Sequence, residues 1–494
     1  MFACRSLMGK CLIFLTRFFN FLVTAVPGFV RGYVQMLSDK IGFDVETLNY
    51  TLGLFLCYPL GMIMNALPYG PIRHAFSFLL GAFLLQFTLG VQWIHQLITS
   101  LVVYGMFLVL PRKMCTYVVP TFVMLYCVLG HLHRQYINYL GWDLDFTGAQ
   151  MVLTQKLYMM AYNLYDGECL ANKIENKAAV KCKDFSLKKL PSLLEYLGYT
   201  FCFSNVLSGP AYEFSIYCHP CDGSHLYKAD GKPRGPIPSN VWPTLRPLFQ
   251  SLTCLVLFIV VGGAYPLLDP TDPQKNTPVV LTSEFLAKPW IERYIYLWIG
   301  LVAVRQKYYF AWKNAEGANN LWYVGFEGFD EQGKALGWGN SCNTDILGFE
   351  TAPNIQTLSK EWNKKTSLWL TRYVYIRTNG SLTAVYSLSA FWHGFYPGYY
   401  LFFLSVPLLT FCERLGRKKI SPLFEGSTGF FSPYNIFCML ITSFVVEYMV
   451  SAFVMLALSR AWGLWQSHYF FGHIGCIVVY AILTQLPTPK KKAQ

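Results

Sequence analysis

The sequence predicts an all-α, polytopic membrane protein: one domain of roughly ten to twelve transmembrane or re-entrant helices, each needing about 20 mainly apolar residues to span a bilayer. Three observations lead there. Of 494 residues, 54% are hydrophobic and 14% charged, where soluble domains carry about 25% charged residues. The apolar runs are spread over almost the whole chain. The joints between them carry breakers and charge, as in Pro68-Tyr69-Gly70-Pro71 and Pro111-Arg112-Lys113.

The net charge of +13 would suit a nucleic-acid binder, but the apolar content argues against one. Basic loops more naturally face the anionic cytosolic leaflet, or an anionic substrate such as a coenzyme A thioester. The 15 cysteines are scattered and read as small buried hydrophobes. Cys218-His219-Pro220-Cys221 is the one compact group. It resembles half a zinc site, but no second pair at ligand spacing follows, so no metal is expected. A disulfide in a lumenal loop is the better of the two readings.

In chain order, a basic then apolar start without a small-x-small cleavage site reads as an uncleaved first element over 11–30. Further spans or half-spans are expected near 50–67, 73–90, 91–110 and 116–131, a run of helical hairpins over 1–140. The core, 141–485, begins with a helix whose start Thr147 and Gln150 mark by capping-box spacing. Met151, Leu153, Leu157, Met160 and Ala161 give it an apolar side, and Gln155 and Lys156 fall elsewhere. A lysine-rich solvated loop follows, then an apolar stretch over 192–209 with a buried-looking Glu195. A span is expected over 248–268, and an aromatic segment over 290–312 is broken by Arg305 and Lys307. Residues 313–360 read as an ordered, turn-rich loop at the membrane surface, and spans follow near 434–458 and 468–485. The tail 486–494 is basic. Its Lys491-Lys492 matches a di-lysine retrieval signal of endoplasmic-reticulum membrane proteins, facing the cytosol, or serves simply as a positive-inside tail. Asn49 and Asn379 head glycosylation sequons of little weight.

The chemistry concentrates in 361–403. Read as a helix over 361–377, the sequence sets Trp362, Thr366, Trp369 and Tyr373 in one aromatic stripe and Asn363, Ser367, Leu370 and Val374 in its neighbour. Asn363 is then a helix N-cap or surface amide, or an amide turned inward. His393 stands in an apolar run between Trp392 and Gly394. An ionisable group buried there is costly and a functional candidate, though a hydrogen-bonded core histidine is the plainer alternative. Gly394, Pro397 and Gly398 loosen the helix around it, as a cavity wall requires. Desolvation keeps such an imidazole neutral, the form a general base for a hydroxyl needs. No serine elbow, phosphate loop, metal triad or dinucleotide fingerprint accompanies it, which points to direct transfer without a covalent intermediate.

Trp392-His393-Gly394, with Gly398, Tyr399 and Phe403, resembles the W-H-G-x-x-x-G-Y-x-x-x-F motif of the membrane-bound O-acyltransferases, in their lysophospholipid acyltransferase branch. WNKKTSLWLTRYVYIR, DFTGAQMVLTQKL, PSLLEYLGY and VRQKYYFAW followed by GFEGFDEQG are similar to that branch too. The likeness runs from about residue 143 to the end. One position departs: Trp465 stands where the branch's Y-x-x-x-Y-F-x-x-H has its first tyrosine, while Tyr469, Phe470 and His473 match.

The resemblance implies a helical bundle around a buried tunnel, with acyl-CoA as co-substrate and no other cofactor. It implies a lysophospholipid acceptor, membrane lipids as surroundings and an endoplasmic-reticulum location. His393 would be the general base and Asn363 the group that positions the thioester or holds its oxyanion. Arg305, Lys307, Tyr308, Tyr309 and Trp312 would belong to the coenzyme A and acyl channel, joined by Trp362, Trp392 and Tyr399. Other acceptors (a sterol, diacylglycerol or a protein) are disfavoured by the DFTG and RQKYYFAW segments. A transporter or scramblase would call for paired broken helices or inverted repeats, which the sequence does not display.

Overall fold

The computed structural model describes residues 27–41, 44–141, 143–269, 276–424 and 429–488. Most of the first apolar element and the terminal lysines lie outside these. No strand occurs among the described residues, only three isolated bridges such as Phe329 with Ala335.

The first helices are α1 (Pro27–Ile41), α2 (Val45–Ala66), α3 (Pro71–Leu89), α4 (Ile94–Val109) and α5 (Arg112–Ile137). Next come α6 (Phe146–Ala171), α7 (Leu193–Thr200), α8 (Phe214–Asp222), α9 (Val241–Ala264) and α10 (Trp290–Leu321). The short helices α11 (Ile346–Glu350), α12 (Ile355–Glu361) and α13 (Lys364–Leu370) lead to α14 (Leu382–His393). Last are α15 (Pro397–Lys419), α16 (Pro433–Met455), α17 (Leu458–Ser467) and α18 (Phe471–Gln485).

Among the described residues, five stretches are long and apolar enough to cross a membrane: Val45–Ala66, Pro71–Val109, Arg112–Ile137, Val241–Ala264 and Pro433–Met455. The pair α17 and α18, bent by 64°, makes a sixth if taken as one span. Val256, Ile259 and Val260 of α9 are exposed, as a face against hydrocarbon requires. The protein is therefore a multi-pass membrane protein.

By their own contacts the residues fall into two compact units interleaved in sequence, a division that reading by chain order does not make. The first holds 27–123, 143–246 and 314–341 of the described chain, and the second the remainder.

In the first unit four expectations change. The N-cap of α6 is Asp145, which accepts from Thr147 N–H; Gln150 instead donates to Thr99 Oγ1 at 3.2 Å, so no capping box forms there. A box does form at α7, between Ser192 and Glu195. Glu195 is thus a capping group at a helix start, where an anion meets unpaired N–H groups. Lys156, read as lying off the apolar side, is fully buried. Its ammonium donates to Tyr199 O at 2.9 Å and Asn205 Oδ1 at 2.8 Å, and Asn205 donates to Pro210 O. The cost of burying the charge is offset by these dipoles. α10 stays helical through Lys313–Leu321, where the loop reading expected turns, and there Asn319 accepts from Ser204 and Tyr212 hydroxyls.

Among the described residues no cluster of three or more His, Cys, Asp or Glu could hold a metal. Cys218 and Cys221 are free thiols, so the alternative reading of a loop disulfide finds no support. Burial pushes both thiols up. His225 is held down to about 4, chiefly by burial, and its Nδ1 donates to His219 O at 2.8 Å.

In the second unit α15 and α16 meet closely. A Cβ on Gly398 would lie 2.1 Å from Ala452 O, so only glycine fits. His473 of α18 ties the two together: one ring nitrogen meets Ser405 Oγ and the other Tyr448 OH, both at 2.9 Å. Ser405 spends its proton on Leu401 O at 2.8 Å, so His473 donates to it and does not activate it. Tyr469 and Phe470 take left-handed φ values of 56° and 49° at the bend between α17 and α18. Trp465, the departure from the branch pattern, donates its indole N–H to Tyr448 O at 3.0 Å. The lost hydroxyl is thus replaced by another donor.

Replacing Lys156 by Met leaves the Tyr199 carbonyl and Asn205 amide without their donor. The expected cost is on the order of 2 kcal/mol, read as a lower thermal midpoint in detergent with unchanged KM values.

Candidate active site

α13 begins at Asn363, the N-cap residue, in the left-handed region (φ 44°, ψ 50°) that asparagine tolerates. The N-cap reading holds for position only: the Asn363 side chain makes no capping bond. Its Oδ1 accepts from Asn343 Nδ2 at 3.1 Å. Asn343 in turn accepts from two backbone N–H groups of the first turn, Lys364 to its carbonyl at 2.8 Å and Lys365 to its Oδ1 at 3.0 Å. The orphan donors of the helix start are satisfied from another loop, so the Asn363 amide is spared that task. The aromatic stripe is buried at Thr366, Trp369 and Tyr373, and α13 passes into a π-helical turn over Thr371–Tyr375.

His393 is the last residue of α14. Gly394 follows at φ 111°, and a Cβ there would sit 3.2 Å from His131 Cγ, so glycine is needed twice over. Pro397 starts α15. The helix break read from Gly394, Pro397 and Gly398 is thus present. Rings surround the imidazole: Trp392 at 4.7 Å, Phe453 at 5.1 Å, Phe403 at 5.6 Å and Tyr399 at 5.9 Å between centroids. His393 keeps intermediate exposure, and among the described residues no hydrogen bond engages its nitrogens. The core-histidine reading, which requires such a bond, therefore finds no support.

His131 of α5 donates from Nε2 to Trp392 O at 3.1 Å, occupying one of the carbonyls left unpaired at the end of α14. Tyr396, in the break, accepts from Leu140 N–H at 2.8 Å.

The elements that carry the two residues touch through aromatic side chains. Trp369 of α13 packs on Trp392 of α14 with centroids 5.9 Å apart. Trp362, beside Asn363, meets Trp312 at 5.0 Å, Tyr309 at 5.7 Å and Tyr308 at 6.0 Å. Tyr308 also packs on Trp312 and carries the Lys307 ammonium 5.1 Å from its ring centre. Tyr308, Tyr309, Trp312 and Trp362 therefore form one aromatic wall beside Asn363, with Lys307 on it, and Trp369, Trp392, Tyr399 and Phe453 form a second around His393.

Arg305 departs from its expected role. It is buried and forks onto Glu350 at 2.8 and 3.2 Å, while Nη1 bonds Glu447. Tyr309 OH donates to Glu350 Oε1 at 2.8 Å. A guanidinium shared by two carboxylates has no need of a phosphate, so Arg305 is an internal strut joining α10, α11 and α16. Of the two predicted cations only Lys307 stands beside the aromatic wall.

Residues 97–451 match the MBOAT, membrane-bound O-acyltransferase family. The chain belongs to this family. A lysophospholipid acyltransferase of Schizosaccharomyces pombe is 29% identical over 91% of this chain and 88% of its own length. Membrane-bound glycerophospholipid O-acyltransferase 1 of Mus musculus is 31% identical over 91% of this chain and 92% of its own. Membrane-bound glycerophospholipid O-acyltransferase 2 of Homo sapiens is 32% identical over 93% and 88%. Family membership makes the chain an O-acyltransferase, and it gives the W-H-G segment and its aromatic wall a chemical setting.

Asn343 and His131 escaped the sequence reading. Asn343 sits among other Asn and Gly residues of a polar stretch, and no period ties it to position 363. His131 did carry a signal, since it ends an apolar run as conspicuously as His393 does.

Arg305→Ala strands two carboxylates, one of them almost wholly buried. Breaking such a pair costs on the order of 3 kcal/mol or more. The expected result is a lower thermal midpoint and poor yield, with the KM for acyl-CoA of the surviving protein close to normal.

Proposed function

We propose that this protein is a lysophospholipid acyltransferase, moving a fatty acyl chain from acyl-CoA to the free hydroxyl of a lysophospholipid. The observation that carries the reading is His393. It stands at a helix break within a ring cage, with no hydrogen bond to its nitrogens among the described residues, and the Trp392 beside it packs on Trp369 of the helix that Asn363 begins, in a chain of the O-acyltransferase family. The relatives named above, over about nine-tenths of the chain, support glycerophospholipid chemistry over a sterol or protein acceptor.

In this reading the lysolipid hydroxyl oxygen attacks the thioester carbon while a neutral His393 nitrogen takes its proton. The carbonyl oxygen gains charge and receives a hydrogen bond from Asn363 Nδ2. Collapse breaks the C–S bond, and the imidazolium returns the proton to the leaving thiolate. The products are a diacyl phospholipid and free coenzyme A. No covalent enzyme intermediate is required, consistent with Ser405 spending its proton on a backbone carbonyl. Acyl-CoA is the one co-substrate that the scheme uses. Lys307 is the cation best placed to meet the coenzyme, and Tyr308, Tyr309, Trp312, Trp362, Trp392 and Tyr399 line the acyl path. We also assign the protein to the endoplasmic-reticulum membrane, with the tail bearing Lys491-Lys492 in the cytosol.

Purified protein with oleoyl- or arachidonoyl-CoA should acylate one or more of the choline, ethanolamine, serine and inositol lysolipids. Sterols and diacylglycerol should remain unacylated. His393→Ala should abolish turnover, and Asn363→Ala should lower kcat by about 100- to 1,000-fold, as loss of one oxyanion donor does elsewhere. Both variants should keep the wild-type thermal midpoint to within a few degrees. Near-normal turnover in folded His393→Ala would refute the mechanism.

A further inference from the structure

An amide has two ends, and the reaction proposed above uses only one. A transition-state oxygen needs Asn363 to present NH₂; the same side chain rotated by half a turn would present an oxygen and repel it. The hydrogen bonds around Asn363 settle which end is offered. Lys365 N–H meets the Asn343 side chain at 3.0 Å. A backbone N–H only donates, so the atom facing it is Asn343 Oδ1. Asn343 Nδ2 therefore points the other way, where it donates to Asn363 at 3.1 Å. What receives that donor must be oxygen, so Asn363 turns Oδ1 to Asn343 and its own Nδ2 away. That Nδ2 donates to no group among the described residues.

Asn343 is rigid enough to impose this. It is 2% exposed. Its backbone carbonyl is held by Lys364 N–H at 2.8 Å, so both ends of the residue are fixed to the start of α13. The neighbouring Thr344 hydroxyl donates to Glu361 O at 2.9 Å, and Asp345 N–H donates to the same carbonyl at 3.2 Å. The stretch of chain through 343–345 is thus fastened along the segment that carries Asn363.

We propose that Asn343 is a positioning residue for the acyl transfer, locking the Asn363 amide so that its NH₂ faces the thioester oxygen. The inference rests on the acyltransferase reading of Asn363. Rotating Asn363 would set NH₂ against NH₂ and lose the bond, so the lock works through an atom the substrate never touches.

Two substitutions separate a lock from a mere strut. In Asn343→Asp one carboxylate oxygen still accepts from Lys365 N–H, and the other now faces Asn363. Asn363 must then turn its NH₂ toward the introduced carboxylate and its oxygen toward the substrate. Asn343→Ala removes the acceptor for Lys365 but leaves Asn363 free to adopt either orientation. The lock therefore predicts crossed orders. Asn343→Asp should lose about 100-fold or more in kcat while keeping the higher thermal midpoint. Asn343→Ala should lose about tenfold or less while being the less stable of the two. The KM for acyl-CoA should stay close to wild type in both. A strut predicts the reverse order in kcat, with Asn343→Ala the worse enzyme, and that result overturns the proposal. If Asn343→Asp does not fold, Asn343→Ala decides: a loss of about tenfold or less in kcat fits the lock, and a loss of about 100-fold or more in the folded protein overturns it. Asn363→Asp keeps the acceptor for Asn343 but has no NH₂, so it should be as inactive as Asn363→Ala; turnover near wild type would overturn the role of Asn363, and the lock with it. If Asn363→Ala is inactive while Asn343→Asp turns over normally, the lock alone fails. If Asn363→Ala is itself active, the underlying role of Asn363 fails with it.

Discussion

A polar group buried in a membrane protein finds no water to bond with and must be answered by the protein itself. Much of the second unit is arranged by that constraint. Arg305 draws Glu350 and Glu447 onto one guanidinium and so fastens α10, α11 and α16. His473 answers Ser405 and Tyr448 and fastens α15, α16 and α18. His131 answers the carbonyl left open where α14 stops, one residue before His393. Asn343 answers the first turn of α13 and leaves Asn363 with one end of its amide committed and the other not. These struts hold still the two elements that carry the proposed chemistry, as a preorganised site demands.

Glycine completes the arrangement where side chains would not fit. Gly394 takes a φ of 111° and abuts His131, and Gly398 abuts the Ala452 carbonyl. Both belong to the W-H-G-x-x-x-G pattern, which therefore has a packing meaning as well as a chemical one. Its first glycine ends the histidine's helix against α5, and its second lets α15 approach α16. The Y-F-x-x-H pattern reads the same way. Its Tyr469 and Phe470 turn the chain between α17 and α18, and its histidine is a strut. Trp465 keeps a donor at the site where the tyrosine is lost, so the departure leaves this junction bonded.

The membrane class, the helical architecture and the stretch holding Asn363 and His393 were legible because each rests on local signals. Apolar length, breakers such as Pro397, and an ionisable residue in an apolar run are all read within a few residues. Three members of the aromatic stripe, Thr366, Trp369 and Tyr373, are buried as helical spacing requires, but the helix expected over 361–377 is broken at its start: Trp362 is extended and half-buried, and Asn363 is left-handed. What could not be read depends on partners distant in sequence. Arg305 looks like a phosphate ligand until Glu350 and Glu447, 45 and 142 residues away, are seen around it. Lys156 is only a lysine off the apolar side of α6 until the end of α7 and the following turn close over it. Asn343 is one asparagine among many until the first turn of α13 is laid against it. The capping box misread at Thr147 and the real one at Glu195 show the converse: a pattern of spacing is necessary for a cap, but the competing acceptor Asp145 decided the first case.

The proposed chemistry requires one thioester carbon within reach of both the Asn363 amide and the His393 imidazole. A structure of the protein with a non-hydrolysable acyl-CoA analogue tests it directly. The account predicts the carbonyl oxygen at about 2.7–3.1 Å from Asn363 Nδ2, with His393 on the opposite side, facing the place of the incoming hydroxyl. An acyl carbonyl bound away from Asn363, or one facing the amide oxygen, would contradict it.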